Sequence, residues 1–187
     1  MSFSLQYLIE CFDLDLSTGV LSWKQSRPRS HFKTASARAC WERFAGMEAG
    51  GIHHKGGRGI YRKVRVGGSR EFTHRIIWML ANNNVIPRGF VVDHADGDTL
   101  NNRPWNLRLA THAQNCWNTK TISNSTGFMG VKRQTLSRNF SASILVNRVR
   151  IHLGSFKSAE EAHSAYMAAK LEFHGEFAAS RKAQREL

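Results

Sequence analysis

Alternation of apolar and polar residues is the clearest pattern in the chain; it runs from residue 140 to residue 153, with Leu145 on the otherwise polar face and an interruption at Asn147-Arg148. The apolar positions of its first half are Phe140, Ala142, Ile144 and Val146, and those of its second half are Val149, Ile151 and Leu153. A period of two predicts two neighbouring β-strands with a common buried face. The opposite face of the second strand carries Arg148, Arg150 and His152, so the open side of this sheet is expected to be basic.

A helical pattern follows the two predicted strands. The segment Ser158-Ala159-Glu160-Glu161 has the form of a capping box, which satisfies free N–H groups at a helix start. The helix is then expected to pack through one stripe formed by Ala162, Ala165, Tyr166, Ala169 and Phe173. Small side chains in this stripe let a helix lie close to a sheet. Residues 128–187 are therefore predicted to form a small sheet backed by one helix.

The first two thirds of the chain mix short helical and extended patterns. Helices are predicted for residues 3–13, 74–80 and about 111–118, and strands for residues 20–23, for residues 61–66 and for a segment that ends at Val92. The polar residues 119–127 have no periodicity and are expected to be a linker. The predicted organisation is a module over residues 1–118, this linker, and a second module over residues 128–187.

The net charge of the chain limits the classes of molecule that it is expected to bind. The 187 residues include 27 Lys and Arg against 14 Asp and Glu, which gives a formal net charge of +13. Such an excess is typical of proteins that bind nucleic acid or anionic membranes. A membrane-spanning protein is not expected, because no apolar run approaches the roughly 18 residues that a span requires. Nucleic acid is therefore the expected partner, and no protein partner is evident.

The excess of basic over acidic residues is most pronounced between Lys24 and Arg70, where Glu42 and Glu48 are the only acidic residues. The segment is rich in glycine, and a turn is expected at Gly67-Gly68 after the strand over residues 61–66. Two interpretations remain open. The segment is either a basic loop-and-hairpin arm that follows the DNA backbone or a solvated surface that keeps the protein in solution.

The three cysteines are scattered along the chain, at Cys11, Cys40 and Cys116. Their number and spacing exclude a disulfide framework and a CxxC zinc pattern. The N-terminal residues lack the basic region and long apolar core of a signal peptide. A cytoplasmic protein with reduced thiols is expected.

One short stretch combines the residue types that phosphodiester hydrolysis requires. His94 follows Asp93, and Asn106 and Asn115 lie further along the chain. Hydrolysis needs a base to deprotonate water and a divalent cation to neutralise charge on the leaving oxygen. A histidine with an ordinary pKa of about 6.5 is substantially neutral at pH 7 and can be the base. The oxygens of Asp93 and Asn115 are hard ligands that suit Mg²⁺, with Mn²⁺ also possible.

This stretch resembles the HNH family of homing endonucleases, which have a ββα-metal fold. The resemblance covers roughly residues 6–118 and rests on residues 12–23, on His74-Arg75-Ile76-Ile77-Trp78, on residues 92–102 and on Asn106-Leu107-Arg108. It implies that Asp93 and Asn115 hold the metal ion and that His94 is the general base. It also implies that Asn106 fixes the loop that aims His94 at the scissile phosphate. The chain departs from the family name at Asn115, which stands in place of a second ligand histidine.

Three other residues near this stretch have less specific interpretations. Asp96 and Asp98 flank a glycine and are expected to form a turn. His74 either orients a phosphate or the active-site loop, or it packs at the start of its helix.

The C-terminal pattern also resembles a known family. Residues 127–178 are similar to the DNA-binding domain of plant ethylene-response factors, a three-stranded sheet with one helix. The similarity rests on Gly130-Val131-Lys132, on residues 140–144, 151–156 and 158–162, and on Ala165-Tyr166, Ala169 and Gly175. It implies that the sheet enters the major groove of DNA. The residues expected to contact DNA are Lys132, Arg133, Arg138, Arg148, Arg150 and His152.

The chain departs from the ethylene-response-factor pattern at two places. Phe140 stands where that family often has tryptophan, and Asn147-Arg148 stands where it often has Asn-Gly. Non-glycine residues at a hairpin tip must accept positive φ, or the turn is of another type. A solvated basic sheet face without a DNA-binding role remains an alternative.

The expected fold class is α+β, with a ββα-metal HNH nuclease module followed by a small three-stranded antiparallel sheet packed on one helix. The expected function is metal-dependent cutting or nicking of double-stranded DNA by a homing-type endonuclease, an architecture that recurs in bacteriophages and mobile elements. One alternative is a DNA-binding regulator with an inactive HNH site, although the base and both ligands are present. An RNA-binding accessory protein is a second alternative, for which no RNA-contact motif is recognisable.

Overall fold

The computed structural model describes residues 3–54, 59–118 and 124–178, and the chain divides into two compact units over residues 1–112 and 113–187. The described residues form small antiparallel sheets together with helices, which confirms the predicted α+β class. The division falls close to the end of the predicted first module, whose bounds stay a prediction. Among the described residues, no helix has the length and apolar character needed to cross a bilayer.

The first unit begins with a short helix and a hairpin. Helix α1 spans Leu5–Cys11 and is capped by Ser4, whose hydroxyl accepts a hydrogen bond from the Tyr7 N–H. The strands β1, Phe12–Leu14, and β2, Leu21–Trp23, pair antiparallel. The helix is shorter than predicted, because Phe12 already belongs to the hairpin and pairs with Trp23.

The basic segment contains more regular structure than a loop and a hairpin. Helix α2 spans Ala35–Glu42, and no residue within it is buried. The strands β3, Gly51–His54, β4, Ile60–Val66, and β5, Ser69–Phe72, form one sheet in that order. Helix α2 was not predicted from the sequence; the hydroxyl of Thr34 caps it by accepting a hydrogen bond from the Ala37 N–H. The expected turn at Gly67-Gly68 joins β4 to β5, and both glycines have positive φ.

Helix α3, Thr73–Asn82, lies at the centre of the first unit. It contacts α1, β1, β4 and β5, which precede it in the chain, and the two strands that follow it. The predicted packing positions Ile76 and Ile77 are fully buried there, and Leu80 packs at the edge of the same core. The strands β6, Phe90–His94, and β7, Leu107–Thr111, pair antiparallel and lead directly into helix α4, His112–Trp117. The ββα order is therefore present.

The predicted end of β6 at Val92 is wrong by two residues. Asp93 and His94 continue the strand, because they pair with Arg108 and Leu107 on β7. The two residues are therefore held on a strand and not in a loop.

The described residues of the second unit include a three-stranded antiparallel sheet packed on one helix, as predicted. The strands β8, Val131–Arg133, β9, Phe140–Val146, and β10, Val149–Phe156, form a meander with β9 in the centre. Helix α5 spans Ala159–His174, and the hydroxyl of its cap Ser158 accepts a hydrogen bond from the Glu161 N–H. The core between sheet and helix contains Val131, Ala142, Ile144, Ala159, Ala162, Tyr166 and Ala169.

Two apolar positions of the second unit were predicted on the wrong side. Val149 is 64% exposed, since it lies beside the hairpin tip. Phe173 is 41% exposed, whereas Lys170 and His174 are buried. The buried stripe of α5 therefore continues through residues 170 and 174, one position away from the residue that the pattern suggested.

The hairpin tip between β9 and β10 has positive φ at two residues that are not glycine. Asn147 and Arg148 have φ of 49° and 68°, so both accept the left-handed conformation without glycine. Residues 119–123 of the predicted linker lie outside the described residues. Its remaining part is a turn, in which Asn124 Nδ2 donates hydrogen bonds to the carbonyls of Phe128 and Val131 at 2.7 and 3.1 Å.

Candidate active site

The candidate base and the first candidate metal ligand occupy adjacent positions at the end of β6. Asp93 and His94 are both buried. Adjacent side chains on a strand point to opposite faces. The register pairs Asp93 with Arg108 and His94 with Leu107, so each side chain has a different neighbour on β7.

His94 is held by the loop that follows it. Its Nε2 lies 3.0 Å from the Oδ1 of Asn102, which is itself buried. An amide oxygen only accepts hydrogen bonds, so this contact requires the hydrogen on Nε2 and leaves the basic lone pair on Nδ1. Burial lowers the pKa of His94, although the Asn102 contact and the nearby carboxylates of Asp93, Asp96 and Asp98 oppose the effect. The lowered pKa favours the neutral form of the ring, which is the form that accepts a proton from water.

Aromatic rings surround His94 on the side of α3 and β4. The ring of His74 lies 4.9 Å from that of His94 at 68°, and the Tyr61 ring is 6.5 Å away. His74 also lies 5.3 Å from Phe72 and is buried. Packing at the start of α3 is thus the observed arrangement of His74, and it places a second imidazole beside the candidate base. A phosphate-orienting role for His74 stays a prediction.

Asn106 is fully buried and crosses the loop between β6 and β7. Its Nδ2 donates hydrogen bonds to Asp96 Oδ1 at 3.0 Å and to the Asn101 carbonyl at 2.8 Å. Its Oδ1 accepts from the Asp96 N–H at 3.1 Å, and its carbonyl accepts from the Ala95 N–H at 2.8 Å. These contacts brace the loop immediately after His94.

The two aspartates of this loop form turns, in agreement with the interpretation of their sequence. Asp96 Oδ1 accepts from the Asp98 N–H at 2.8 Å, and Asp98 Oδ1 accepts from the Leu100 N–H at 3.0 Å. Burial by itself would raise the pKa of Asp96, but hydrogen bonds from Asn101, Asp98 and Asn106 hold it below its ordinary value. The ionised Asp96 carboxylate is therefore engaged in shaping the loop.

Asp93 forms an ion pair with Arg108. The Arg108 Nη2 and Nε both lie 3.0 Å from Asp93 Oδ2, and the side chains are largely buried. The guanidinium balances the charge of the carboxylate at this position.

Asn115 lies on α4 at an exposed position and belongs to the second unit. The described residues contain no group of three or more His, Cys, Asp or Glu side chains that could hold a metal ion. The donor types of Asp93 and Asn115, a carboxylate and an amide oxygen, suit a hard cation that keeps several waters. Their assignment as ligands stays a prediction.

The six residues that were expected to contact DNA are all exposed in the second unit. Lys132, Arg150 and His152 share the outer face of the sheet, because they pair with Ser141, Leu145 and Ser143. Arg133 pairs with Phe140 and therefore lies on the other face. Arg138 lies in the loop between β8 and β9, and Arg148 lies at the hairpin tip.

Sequence reasoning did not single out three residues that position the site. Asn102 holds His94, Arg108 pairs with Asp93, and Gly19 approaches the loop closely. A Cβ at Gly19 would lie 2.4 Å from the Asn102 carbonyl oxygen. Arg108 lies opposite Asp93 in the β6–β7 register, which the sequence pattern did not specify. The Gly19 contact has no local signal beyond the turn itself.

Part of the chain is similar to known proteins. Residues 71–116 match the family model described as HNH endonuclease. An uncharacterized HNH endonuclease of Acanthamoeba polyphaga mimivirus is 38% identical over 109 residues, which cover 58% of this chain and 56% of that protein. Protein 3.8 of Escherichia phage T7 is 46% identical over 59 residues, which cover 31% of this chain and 48% of that protein.

The chain thus spans about half the length of each of these two relatives. No solved structure matches it. The matched segment includes α3, the β6–β7 ribbon, His94, Asn106 and Asn115. Residues 71–116 of this chain are therefore similar to HNH endonuclease domains.

Proposed function

We propose that the protein is a metal-dependent endonuclease that cuts or nicks double-stranded DNA. The observation that supports this most strongly is the arrangement of His94, which is buried, held at Nε2 by Asn102 and braced through the Asn106 loop. This arrangement lies within the HNH endonuclease domain. It keeps one imidazole nitrogen basic near neutral pH, as deprotonation of water requires.

In this proposal His94 Nδ1 takes the proton of the attacking water, while Asn102 maintains the tautomer and Asn106 maintains the loop. Asp93 and Asn115 would hold Mg²⁺, or Mn²⁺ in its place. The bound cation would stabilise charge on the leaving oxygen of the phosphodiester. Arg108 keeps the Asp93 carboxylate oriented and its charge balanced. The assignment of both ligands rests on their residue types and on the resemblance to homing endonucleases.

Substrate binding is assigned to two basic surfaces. The outer face of the β8–β10 sheet carries Lys132, Arg150 and His152, and an ethylene-response-factor-like mode would insert this face into the major groove. In the first unit, Arg27, Lys63 and Arg70 line a groove of about 1370 Å³ beside the β3–β5 sheet. This groove supports the interpretation of residues 24–70 as a basic arm along the DNA backbone. The net charge of +13 favours both assignments.

One HNH domain provides one base, so a single chain is expected to cut one strand at a time. Two chains, or two successive events, would be needed for a double-strand break. A homing-type role, like that of endonucleases encoded by bacteriophages and mobile elements, is the biological function that we propose.

The decisive experiment follows the conversion of supercoiled plasmid to nicked and linear forms with and without Mg²⁺. Wild type is compared with His94→Ala and with a matched control, His112→Ala, whose histidine is exposed on α4. We expect metal-dependent cutting by wild type and control, and none by His94→Ala, which should retain DNA affinity. Because His94 is buried, thermal unfolding of each variant must show that it is folded. Unchanged cutting by a folded His94→Ala protein would sink the assignment of the base.

The same experiment separates the alternatives. Binding of duplex DNA without cutting in Mg²⁺ or Mn²⁺ would favour a DNA-binding regulator with an inactive site. Preferential competition by RNA over duplex DNA would favour an RNA-binding accessory protein.

A further inference from the structure

Trp105 is a large aromatic side chain that the fold leaves in solvent beside the active-site loop. It is 68% exposed, while the flanking Asn106 is fully buried. A single exposed apolar residue is ordinary on a protein surface. The position and rigidity of Trp105 distinguish it from the other exposed apolar residues.

Trp105 is held close to His94 by backbone hydrogen bonds. The Asn106 carbonyl accepts from the Ala95 N–H at 2.8 Å, and these residues are the chain neighbours of Trp105 and His94 respectively. Bond lengths and the Cα–Cα step therefore limit the distance between the Cα atoms of Trp105 and His94 to about 15 Å. Trp105 and His94 are therefore near enough for one bound duplex to contact both side chains.

The backbone on both sides of Trp105 is fixed. It belongs to the short 3-10 helix Pro104–Asn106, in which proline restricts φ. The Asn106 N–H donates to the Arg103 carbonyl at 2.9 Å, and the Leu107 N–H donates to the Pro104 carbonyl. The Asn106 side chain anchors the same turn from inside. An indole presented by a rigid turn loses little conformational entropy when it binds a ligand.

The surroundings of Trp105 suit a nucleic acid. Arg103 is exposed two residues before it and can neutralise a phosphate, while Leu100 adds a further apolar side chain in the same loop. Exposed aromatic rings and basic side chains on one surface are the combination with which proteins stack on nucleobases while they contact the backbone. A carboxylate-bearing ligand would satisfy the arginine but not the indole face.

We propose that Trp105 is a DNA-binding residue that stacks against a nucleobase next to the scissile phosphate, with Arg103 on the adjacent backbone. Such a contact partly unstacks the duplex at the cleavage site and fixes the phosphate with respect to His94. The proposal rests on the proposed endonuclease function for its location, but binding can be tested without cutting.

The test measures the affinity of His94→Ala protein for a fluorescein-labelled duplex of mixed sequence, so that the probe stays intact. Addition of Trp105→Ala is expected to weaken binding by about tenfold to a hundredfold, the range for loss of one base-stacking contact. Trp105→Phe keeps a ring and should lose much less. Val85→Ala removes another exposed apolar side chain of the first unit and should leave affinity within about twofold of its parent.

Tryptophan fluorescence gives an independent measurement. Stacking on a base should quench part of the emission when unlabelled duplex is added, and Trp105→Phe should abolish that part. Equal affinity of the Trp105→Ala and parent proteins, with DNA-induced quenching unchanged by Trp105→Phe, would overturn the proposal.

The two proposals fail in different ways. Wild type that never cuts DNA, together with a weakened Trp105→Ala variant, would remove the endonuclease function and keep the Trp105 contact. Wild type that cuts, together with a Trp105→Ala variant that binds and cuts equally well, would remove only the Trp105 contact.

Discussion

Asp93 and Arg108 face each other across the β6–β7 ribbon and form a largely buried ion pair, with 3.0 Å between Asp93 Oδ2 and Arg108 Nη2. The pair depends on strand register, because a slip of one residue would move Arg108 to the opposite face of the ribbon. The adjacent pairing of His94 with Leu107 depends on the same register. The ion pair therefore helps to keep the candidate base and the candidate metal ligand in place.

Arg108→Ala should destabilise the protein. It leaves a buried carboxylate without its guanidinium, which typically costs about 3 kcal/mol or more. Denaturant unfolding should show this loss, and metal-dependent plasmid cutting should fall with it. Arg88→Ala is the matched control, because Arg88 is an exposed arginine of the same unit. Equal stability of the two variants would show that the ion pair does not support the ribbon.

Gly19→Ala should displace the active-site loop, although Gly19 lies far from that loop in the sequence. Gly19 has φ of +73°, and an added Cβ would lie 2.4 Å from the Asn102 carbonyl oxygen. Asn102 would have to move, and its contact with His94 Nε2 would move with it. Gly68→Ala is the control for backbone strain alone, since Gly68 has φ of +87° and open space around it.

The control variant should lose about 1 kcal/mol of unfolding free energy and keep its cutting rate. Gly19→Ala should lose more and should cut slowly even where it is fully folded. A cutting rate equal to that of Gly68→Ala would argue against the steric link between Gly19 and the loop.

Asn106→Ala should loosen the loop that follows His94. The variant loses the amide that bonds Asp96 and Asn101 and leaves buried polar groups unsatisfied, at a cost of about 3 kcal/mol. Hydrogen exchange should report faster exchange of the Asp96 N–H, which donates to Asn106 Oδ1. Asn84→Ala, at an exposed asparagine, should leave that exchange unchanged. Undiminished protection of Asp96 in Asn106→Ala would contradict the bracing role.

His174 should make the stability of the protein depend on pH. Its ring is buried and stacks on Trp117, with centroids 4.3 Å apart and an interplanar angle of 1°. Burial lowers the pKa of His174 below its ordinary 6.5, and the charge of Lys170 acts in the same direction, while the backbone of Leu145 has a smaller, opposing effect. The unfolded chain therefore binds this proton more readily than the folded chain does. The contribution of His174 to the free energy of unfolding should be fully present above pH 6.5. It should decrease as the pH drops below that value.

His174→Phe keeps a ring against Trp117 and removes the titrating group, so it should flatten the loss of melting temperature between about pH 6.5 and pH 5. Part of the dependence should remain, because burial also lowers the pKa of His94. His152→Phe, at an exposed histidine of the sheet face, should keep the full dependence. A wild-type slope in His174→Phe would show that His174 is not the group responsible.

Arg150→Ala should weaken DNA binding more than it slows cutting at saturating protein. Arg150 lies on the outer sheet face, opposite Leu145, and its Nη1 donates to Ser143 Oγ at 3.3 Å. Loss of one phosphate contact should reduce the slope of log binding constant against log salt concentration by about one. Loss of a base contact should instead alter the preference for DNA sequence. Lys157→Ala removes an exposed charge just before α5 and serves as the control. Equal affinity of wild type and Arg150→Ala would exclude the sheet face as the recognition surface.

Local patterns in the sequence determined several parts of this protein. The period of two over residues 140–146 matches β9, and the Ser158 cap of α5 is present as predicted. The turn roles of Asp96 and Asp98 also follow from short-range chemistry. These features involve hydrogen bonds or alternation within a few residues, so the chain specifies them without reference to distant segments.

The tertiary structure decided the contacts that position the candidate site. The pairing of Asp93 with Arg108 follows from strand register, the support of His94 by Asn102 follows from the path of a long loop, and the approach of Gly19 to that loop joins segments far apart in the chain. Phe173 is exposed because of the rotation of α5 about its own axis relative to the sheet. The residue types in the helix did not specify this rotation to within one residue position. Periodicity determines which face of an element is apolar, whereas close packing between elements determines which atoms meet.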